Sequence, residues 1–483
     1  MTRDAKVAPH STTAGEAGLR GNLSALHLFF SVMAWNAPLV IVVGVIPVML
    51  TVGNGIATPV AFVTAGLVLG AFAVGFTRMA RVLPNPGAFY AYITAGLGRE
   101  IGLGAGVLAL FGYFCAYAGT YAFSGVVFNS LVENSIGGPG LPWWALAFLF
   151  WAAVTVIGYC RIDLSAKVLA VLLVAEVAVI VVYDVAVFAQ GGAVGLSVEP
   201  LDPSHWFDGS FGIALLYGLG MYGGFEVTAL YRDEVRDPMR TVPRATYAVL
   251  VFGMVLYGTT AWLFINALGI DDAVAAATAD PTEAVEGTMQ RFGGRLLLDL
   301  STALVMTSTF AVLLAGHNIV SRYVFNLSAD RILPSKLSGV HARHGSPHVA
   351  SVATSVAALL ANVPVIALNL DPMRFYAAML GIASFVVIVA ILLTDIAIPL
   401  YMHRHGGELS TFWATIACPF VAAAGLLTCV VMAADNFEIL IGGSSSLAAA
   451  LLLLIGAFFA AGVVMAVIFR RTRPEIYAKI GRQ

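Results

Sequence analysis

Glu176 stands near the middle of the apolar run 164–189. By insertion scales, a charge at the centre of such a run costs at least about 2.5 kcal/mol if the run crosses a membrane. Because desolvation disfavours a bare carboxylate, the group can exchange a proton or hold a cation; it can also be a hydrogen-bonded structural glutamate. Glu226 closes the glycine-rich stretch GLGMYGGFE (218–226). It can brace the backbone there by accepting hydrogen bonds, or sense pH. Asp184, Asp299 and Asp395 fall closer to the ends of apolar runs and read as structural. His317 lies within another run, where a satisfied core histidine is favoured over a proton relay. HARHGSPH (341–348) gathers three histidines, but no other ligands accompany them and no metal site is expected. Cys115, Cys160, Cys418 and Cys429 have no partners at metal or disulfide spacing and read as small core residues. There is no HExxH, no GxSxG and no pair of intramembrane aspartates, so catalytic residues are not expected. A GxxxxGK[ST] phosphate loop and a repeated pore filter are also missing, which argues against an ATP-driven pump and a channel. No cofactor is implied.

The elements that hold these residues follow from composition. The chain has 483 residues, of which 59% are hydrophobic and 11% charged, and its mean hydropathy is +0.89. A soluble domain carries roughly 25% charged residues, so most of this surface must face lipid. In lipid every backbone polar group needs an internal partner, which leaves helices or closed barrels. The apolar runs have the length of membrane helices rather than the alternation of barrel strands. An all-α membrane protein of about 12 transmembrane helices is therefore expected. Its spans fall near 24–50, 58–82, 99–130, 141–160, 164–189, 209–231, 244–268, 296–326, 347–367, 373–401, 410–433 and 446–469. With the N-terminus inside, 22 of the 25 basic residues lie in inner segments; Arg291, Arg295 and Arg374 are the exceptions. This bias predicts cytoplasmic N- and C-termini and an even number of spans. Residues 1–20 read as a disordered cytoplasmic tail without a cleavable signal, and 471–483 as a second cytoplasmic tail. The outer loops lean acidic, and the loop after span 7 is expected to carry a short helix. Net charge is −2, which gives no reason to expect a nucleic-acid partner.

Two spans carry internal breakers. Span 1 reads SVMAWNAPLVIVVGVIP (31–47), with Pro38 near its middle, and span 6 packs Gly218, Gly220, Gly223 and Gly224 together. Proline removes a backbone donor, and each glycine weakens a helix by about 1 kcal/mol relative to alanine. Taken singly, these are kinks or close contacts. Interrupted helices at corresponding places in two halves of a chain point instead to a carrier's binding site at the midplane.

Four stretches resemble signatures of the amino acid–polyamine–organocation (APC) superfamily of secondary transporters. They are PNPGAFYAY (84–92), WAAVTVIGYCRIDLSAKV (151–168), GGFEVTALYRDEVRDPMRTVPRA (223–245) and LLAGHNIVSRYVFNLSADRILP (313–334), in the family's order. The resemblance implies two inverted five-helix repeats, residues 21–190 and 205–402, with broken helices 1 and 6, and two peripheral spans within 410–470. It implies a substrate between the breaks, held by Asn36, Ala37, Pro38, Leu39 and Val40 of span 1 and by Gly220, Tyr222, Gly223, Gly224 and Phe225 of span 6. Tyr222 or Phe225 is expected to close over the ligand; Tyr113, Tyr117 and Phe310 are further candidates. Many members hold the substrate carboxylate on the amides of a Gly-Ser-Gly-like triplet, which here is Pro38, Leu39 and Val40. Leu39 and Val40 still offer N–H groups, but Pro38 does not. Glu176 occupies a position where proton-coupled relatives often keep a lysine, so proton-coupled symport is expected; exchange and sodium coupling stay open. The implied partners are an amino acid or amine substrate, the lipid bilayer of the plasma membrane and H+ as coupling ion.

Overall fold

The computed structural model describes residues 24–83, 88–135, 137–160, 166–225, 237–341 and 346–481. Among the described residues the secondary structure is helical, with no strand. Nine helices there are long and apolar enough to cross a membrane. Three shorter apolar segments, Pro38–Val52, Trp143–Tyr159 and Phe211–Met221, complete a set of twelve.

Span 1 is built from three pieces, α1 (Ala25–Asn36), α2 (Pro38–Gly44) and α3 (Ile46–Val52). Spans 2 to 5 are Thr58–Val82, Arg99–Ser130, Trp143–Tyr159 and Ala166–Gln190. Span 6 is helical over Phe211–Met221, and residues 226–236 after its turn lie outside the described residues. Spans 7 to 12 are Pro238–Leu268, Pro281–Ala329, His348–Ala367, Pro372–His405, Cys418–Asp435 and Ser445–Thr472. The expected short helix after span 7 is Ala273–Ala279.

Span 8 starts well before its expected limit of 296. Asp280 caps it by accepting from the N–H groups of Thr282 at 2.9 Å and Glu283 at 3.0 Å, and Pro281 fits the first turn, where no donor is needed. The helix then kinks at Gly294, whose φ of 74° suits a residue without Cβ. Asp371 and Pro372 start span 10 in the same way.

Span 3 runs through the centre and packs against spans 4, 8, 10 and 12. Its contact with span 12 is backbone to backbone: a Cβ on Gly462 would lie 2.6 Å from the Leu103 carbonyl oxygen and 2.7 Å from the Gly104 Cα. Small residues of this kind let membrane helices approach closely. Spans 11 and 12 turn large apolar side chains outward, including Phe420 at 74% and Leu453 at 75% exposure, as a lipid-facing rim would. The chain end folds back. Ile476 and Ile480 are buried, Tyr477 donates to Glu100 Oε1 at 2.8 Å, and the Gly481 N–H donates to the Tyr90 hydroxyl at 2.9 Å. Residues 1–20 lie outside the described residues.

Candidate functional site

The span 1 break is made by one residue pair. Pro38 has no N–H to continue α1, and its ring disfavours the helical region for the residue before it. Ala37 leaves the helix in the left-handed region, φ 45° and ψ 74°, although it carries a Cβ and is almost fully buried. Such a residue costs on the order of 1–3 kcal/mol and persists only where its surroundings hold it. Pro38 then opens α2 at a position that suits it. A second step at Val45 separates α2 from α3.

Glu176 reaches this break from span 5. One carboxylate oxygen accepts from the Leu39 N–H at 3.1 Å, and the other accepts from the hydroxyl of Ser308 on span 8. The side chain is buried, so one carboxylate ties spans 1, 5 and 8 together. The donors expected to be open are therefore engaged: the Leu39 N–H goes to Glu176, and the Val40 N–H goes to the Ala37 carbonyl at 2.9 Å. Both amides thus have partners within the protein in this structure. A short helix needs its first donors satisfied, and in a buried site the nearest acceptors take them.

Span 6 ends in a tight turn. Tyr222 and Gly223 donate back to the carbonyls of Leu219 and Gly220, at 3.3 and 3.0 Å, and Gly224 takes a φ of 93°. Gly220 abuts Ser384 of span 10, where a Cβ would collide with the hydroxyl. The two aromatic rings are packed against span 2. Tyr222 donates to the Phe62 carbonyl at 2.9 Å, and Phe225 sits edge-on to Phe72 and Phe76 at 5.9 and 6.0 Å. Both rings thus rest against span 2 in this structure. Large apolar rings bury most area against a neighbouring helix, and span 2 supplies it. Glu226 lies outside the described residues.

The further aromatic candidates fall in another cluster. Tyr117 lies 3.0 Å from His317 Nδ1 and 2.7 Å from the Tyr121 hydroxyl; Phe310 meets Phe150 of span 4, and Tyr113 meets Tyr323. His317 Nε2 lies 2.8 Å from the Ser351 hydroxyl, so His317 is a core histidine with both nitrogens satisfied. His341 and His348 pack edge-on to each other and to Tyr159, while 342–345 lie outside the described residues. Asp299 pairs with Arg295 at 3.0 Å, and Asp184 accepts from Thr260 at 2.8 Å. Asp395 is more deeply buried than its place in the sequence implies, at 1% exposure.

Two features were not read from the sequence. Ser308 is the first; the hydroxyl run Thr307, Ser308, Thr309 inside an apolar helix was its signal. The second is a cavity of about 1190 Å3 at the end of the bundle where spans 8 and 10 begin. It is lined by the carboxylates of Glu133, Asp280, Glu283, Glu286, Asp371 and Glu438 against a single guanidinium, Arg374. Below it Phe123 stacks on Tyr376 at 4.7 Å, over Gly44, where a Cβ would lie 2.9 Å from the Phe123 ring. Gly44 is seven residues beyond Ala37, or about 10 Å at helical rise. The stacked rings thus lie between the acidic cavity and the span 1 break.

A family model described as "Amino acid permease" matches residues 27–478. The chain is 26% identical to a branched-chain amino acid permease, BcaP, of Lactococcus lactis, over 59% of this chain and 63% of that protein. It is 22% identical to the branched-chain amino acid permease BcaP of Bacillus subtilis, over 62% and 65%. It is 23% identical to the low-affinity putrescine importer PlaP of Escherichia coli, over 63% and 66%. The chain thus matches just under two thirds of the length of each of these curated relatives.

Proposed function

The chain belongs to the amino acid permease family, and on that premise we propose that it is a secondary carrier moving an amino acid or related amine across the plasma membrane by alternating access, in symport with a proton taken up at Glu176. Asn36 to Val40 and Gly220 with Tyr222 to Phe225 form the substrate site. Both termini are cytoplasmic, and residues 21–190 and 205–402 are the two inverted repeats. The basic-residue bias supports the orientation. The relatives named for branched-chain amino acids and for putrescine bracket the substrate class.

The observation that carries the coupling is the Glu176 carboxylate, which joins the span 1 break to span 8. Alternating access moves one bundle of helices against the other. A carboxylate that holds both sides must change partners when they move. Hydrogen bonds to an ionised group are roughly twice as strong as neutral ones, so a proton arriving at Glu176 loosens this joint.

The test is uptake into liposomes under an imposed pH gradient. Wild type accumulates substrate at least tenfold, whereas Glu176→Gln loses the response to the gradient and keeps exchange of external for internal substrate. A mutant that still responds fully removes Glu176 from the coupling role. Uptake by wild type that follows a sodium gradient alone makes the protein a sodium-driven carrier. If no amino acid or amine gives saturable flux, the carrier reading falls.

A further inference from the structure

Away from the span 1 break, the ends of spans 4 and 8 and the head of span 9 enclose a second cavity, of about 220 Å3. A single water needs only about 10–15 Å3, so a polyatomic group has room there. None of the lining residues belongs to span 1 or span 6. The cavity's charge has one sign: Arg322 brings a guanidinium, and among the described residues no carboxylate lines it. Span 9, His348–Ala367, starts after Pro347 without a side-chain cap. The N–H groups of a first turn have no acceptor within their own helix, and such an end carries partial positive charge that draws anions. Pro347 and Ser351, which bracket this turn, both line the cavity.

Ser321 is an independent sign of a ligand. It lines the same cavity and is 2% exposed, and its hydroxyl has no partner among the described residues. Buried hydroxyls in helices usually satisfy themselves on a carbonyl of the preceding turn. Thr309 and Ser328 of the same helix do so, donating to Val305 at 2.7 Å and to Val324 at 2.7 Å. Ser321 does not. The nearby polar pair, His317 and Ser351, is already joined at 2.8 Å and makes a fixed wall.

We propose that this cavity binds a phosphate group. The Arg322 fork takes two of its oxygens, the Ser321 hydroxyl donates to a third, and the first turn of span 9 holds its charge. A carboxylate, with two oxygens, would leave one of these donors unused. The group comes either from free inorganic phosphate or from a lipid headgroup. Once bound, it ties span 8 to the head of span 9 and stabilises the folded protein. The proposal does not depend on the carrier reading.

The test is thermal unfolding of the full-length protein, stripped of lipid in dodecyl maltoside, at constant ionic strength. Inorganic phosphate is titrated in one arm and short-chain phosphatidic acid in the other, each against chloride. A ligand that binds only the folded state raises the Tm with a saturable dose response. Arg322→Gln should raise the half-maximal concentration by about tenfold or more, and Ser321→Ala severalfold. Saturation by inorganic phosphate at the lower concentration assigns the site to the free ion; saturation by phosphatidic acid at the lower concentration assigns it to a lipid. If neither saturates, the site is overturned. A rise that both variants keep in full is the general stabilising effect of phosphate salts, and it overturns the site as well. Amide exchange over 346–351 in wild type reads the same contact without a mutation. Phosphate should slow it severalfold relative to chloride, and an unchanged rate rejects the proposal.

Discussion

Ala37 concentrates the local strain of the site. An alanine at φ 45° is held there by Pro38 after it and by the Glu176 bond to Leu39 one residue further on. A β-branched side chain tolerates this region far less than alanine does, and glycine tolerates it freely. Ala37→Val should therefore lower stability by about 2 kcal/mol, while Ala37→Gly should be neutral or slightly stabilising. Thermal unfolding in detergent reads both. An equal loss in the two variants would mean that the left-handed conformation is not what they report. The break itself was legible at Pro38. Its geometry at Ala37 was not, because a proline marks where a helical ladder stops and leaves open how the preceding residue turns.

Among the elements, the loop between spans 5 and 6 carries a proton-linked clasp. His205 lies 2.5 Å from Asp208 and 3.4 Å from Glu199. The hydrogen bond to Asp208, with the negative charges of Asp208, Glu199 and Asp202, raises the His205 pKa above its ordinary value. A group whose pKa is raised on folding contributes stability that is fully present below its unfolded pKa, about 6.5. That stability is lost as pH rises through the higher folded value. Amide exchange across 199–208 should therefore speed up as pH is raised through that window, beyond the intrinsic base-catalysed rise. His205→Gln should remove the extra dependence. Equal protection profiles for the two proteins would exclude the clasp. Helix limits follow a similar contrast. Spans 2 and 3 fall at their expected residues because hydropathy changes sharply there. Span 8 begins earlier because a cap at Asp280, rather than hydropathy, sets its start.

At the scale of the molecule, six acidic residues share one cavity. Its carboxylates come from spans 3, 8 and 10 and from the segment before span 12, far apart in the chain. Charges that line a concave surface raise the local concentration of a counter-charged ligand, and salt screens the effect. Neutralising Glu133 and Glu283 together as glutamines should raise the KM for an amine severalfold at low ionic strength with little change in kcat. The difference should vanish at high salt. A KM penalty that survives high salt would point to direct contact instead of steering.

The sequence by itself determined the solvent, the number of spans and most of their limits, the two breaks and the mid-span carboxylate of span 5. Each is a local property, fixed by hydropathy, by a missing N–H or by the cost of one buried charge. Only the tertiary structure decided what Glu176 holds, that Tyr222 and Phe225 turn to span 2, and that dispersed acids share one cavity. Those outcomes depend on which helix faces which. Nearly every span is apolar on all sides, so its sequence carries little record of which face meets lipid and which meets a neighbour. Glu176 shows the division most clearly: its position in the chain demanded a partner, and the packing of spans 1, 5 and 8 chose the Leu39 amide and the Ser308 hydroxyl.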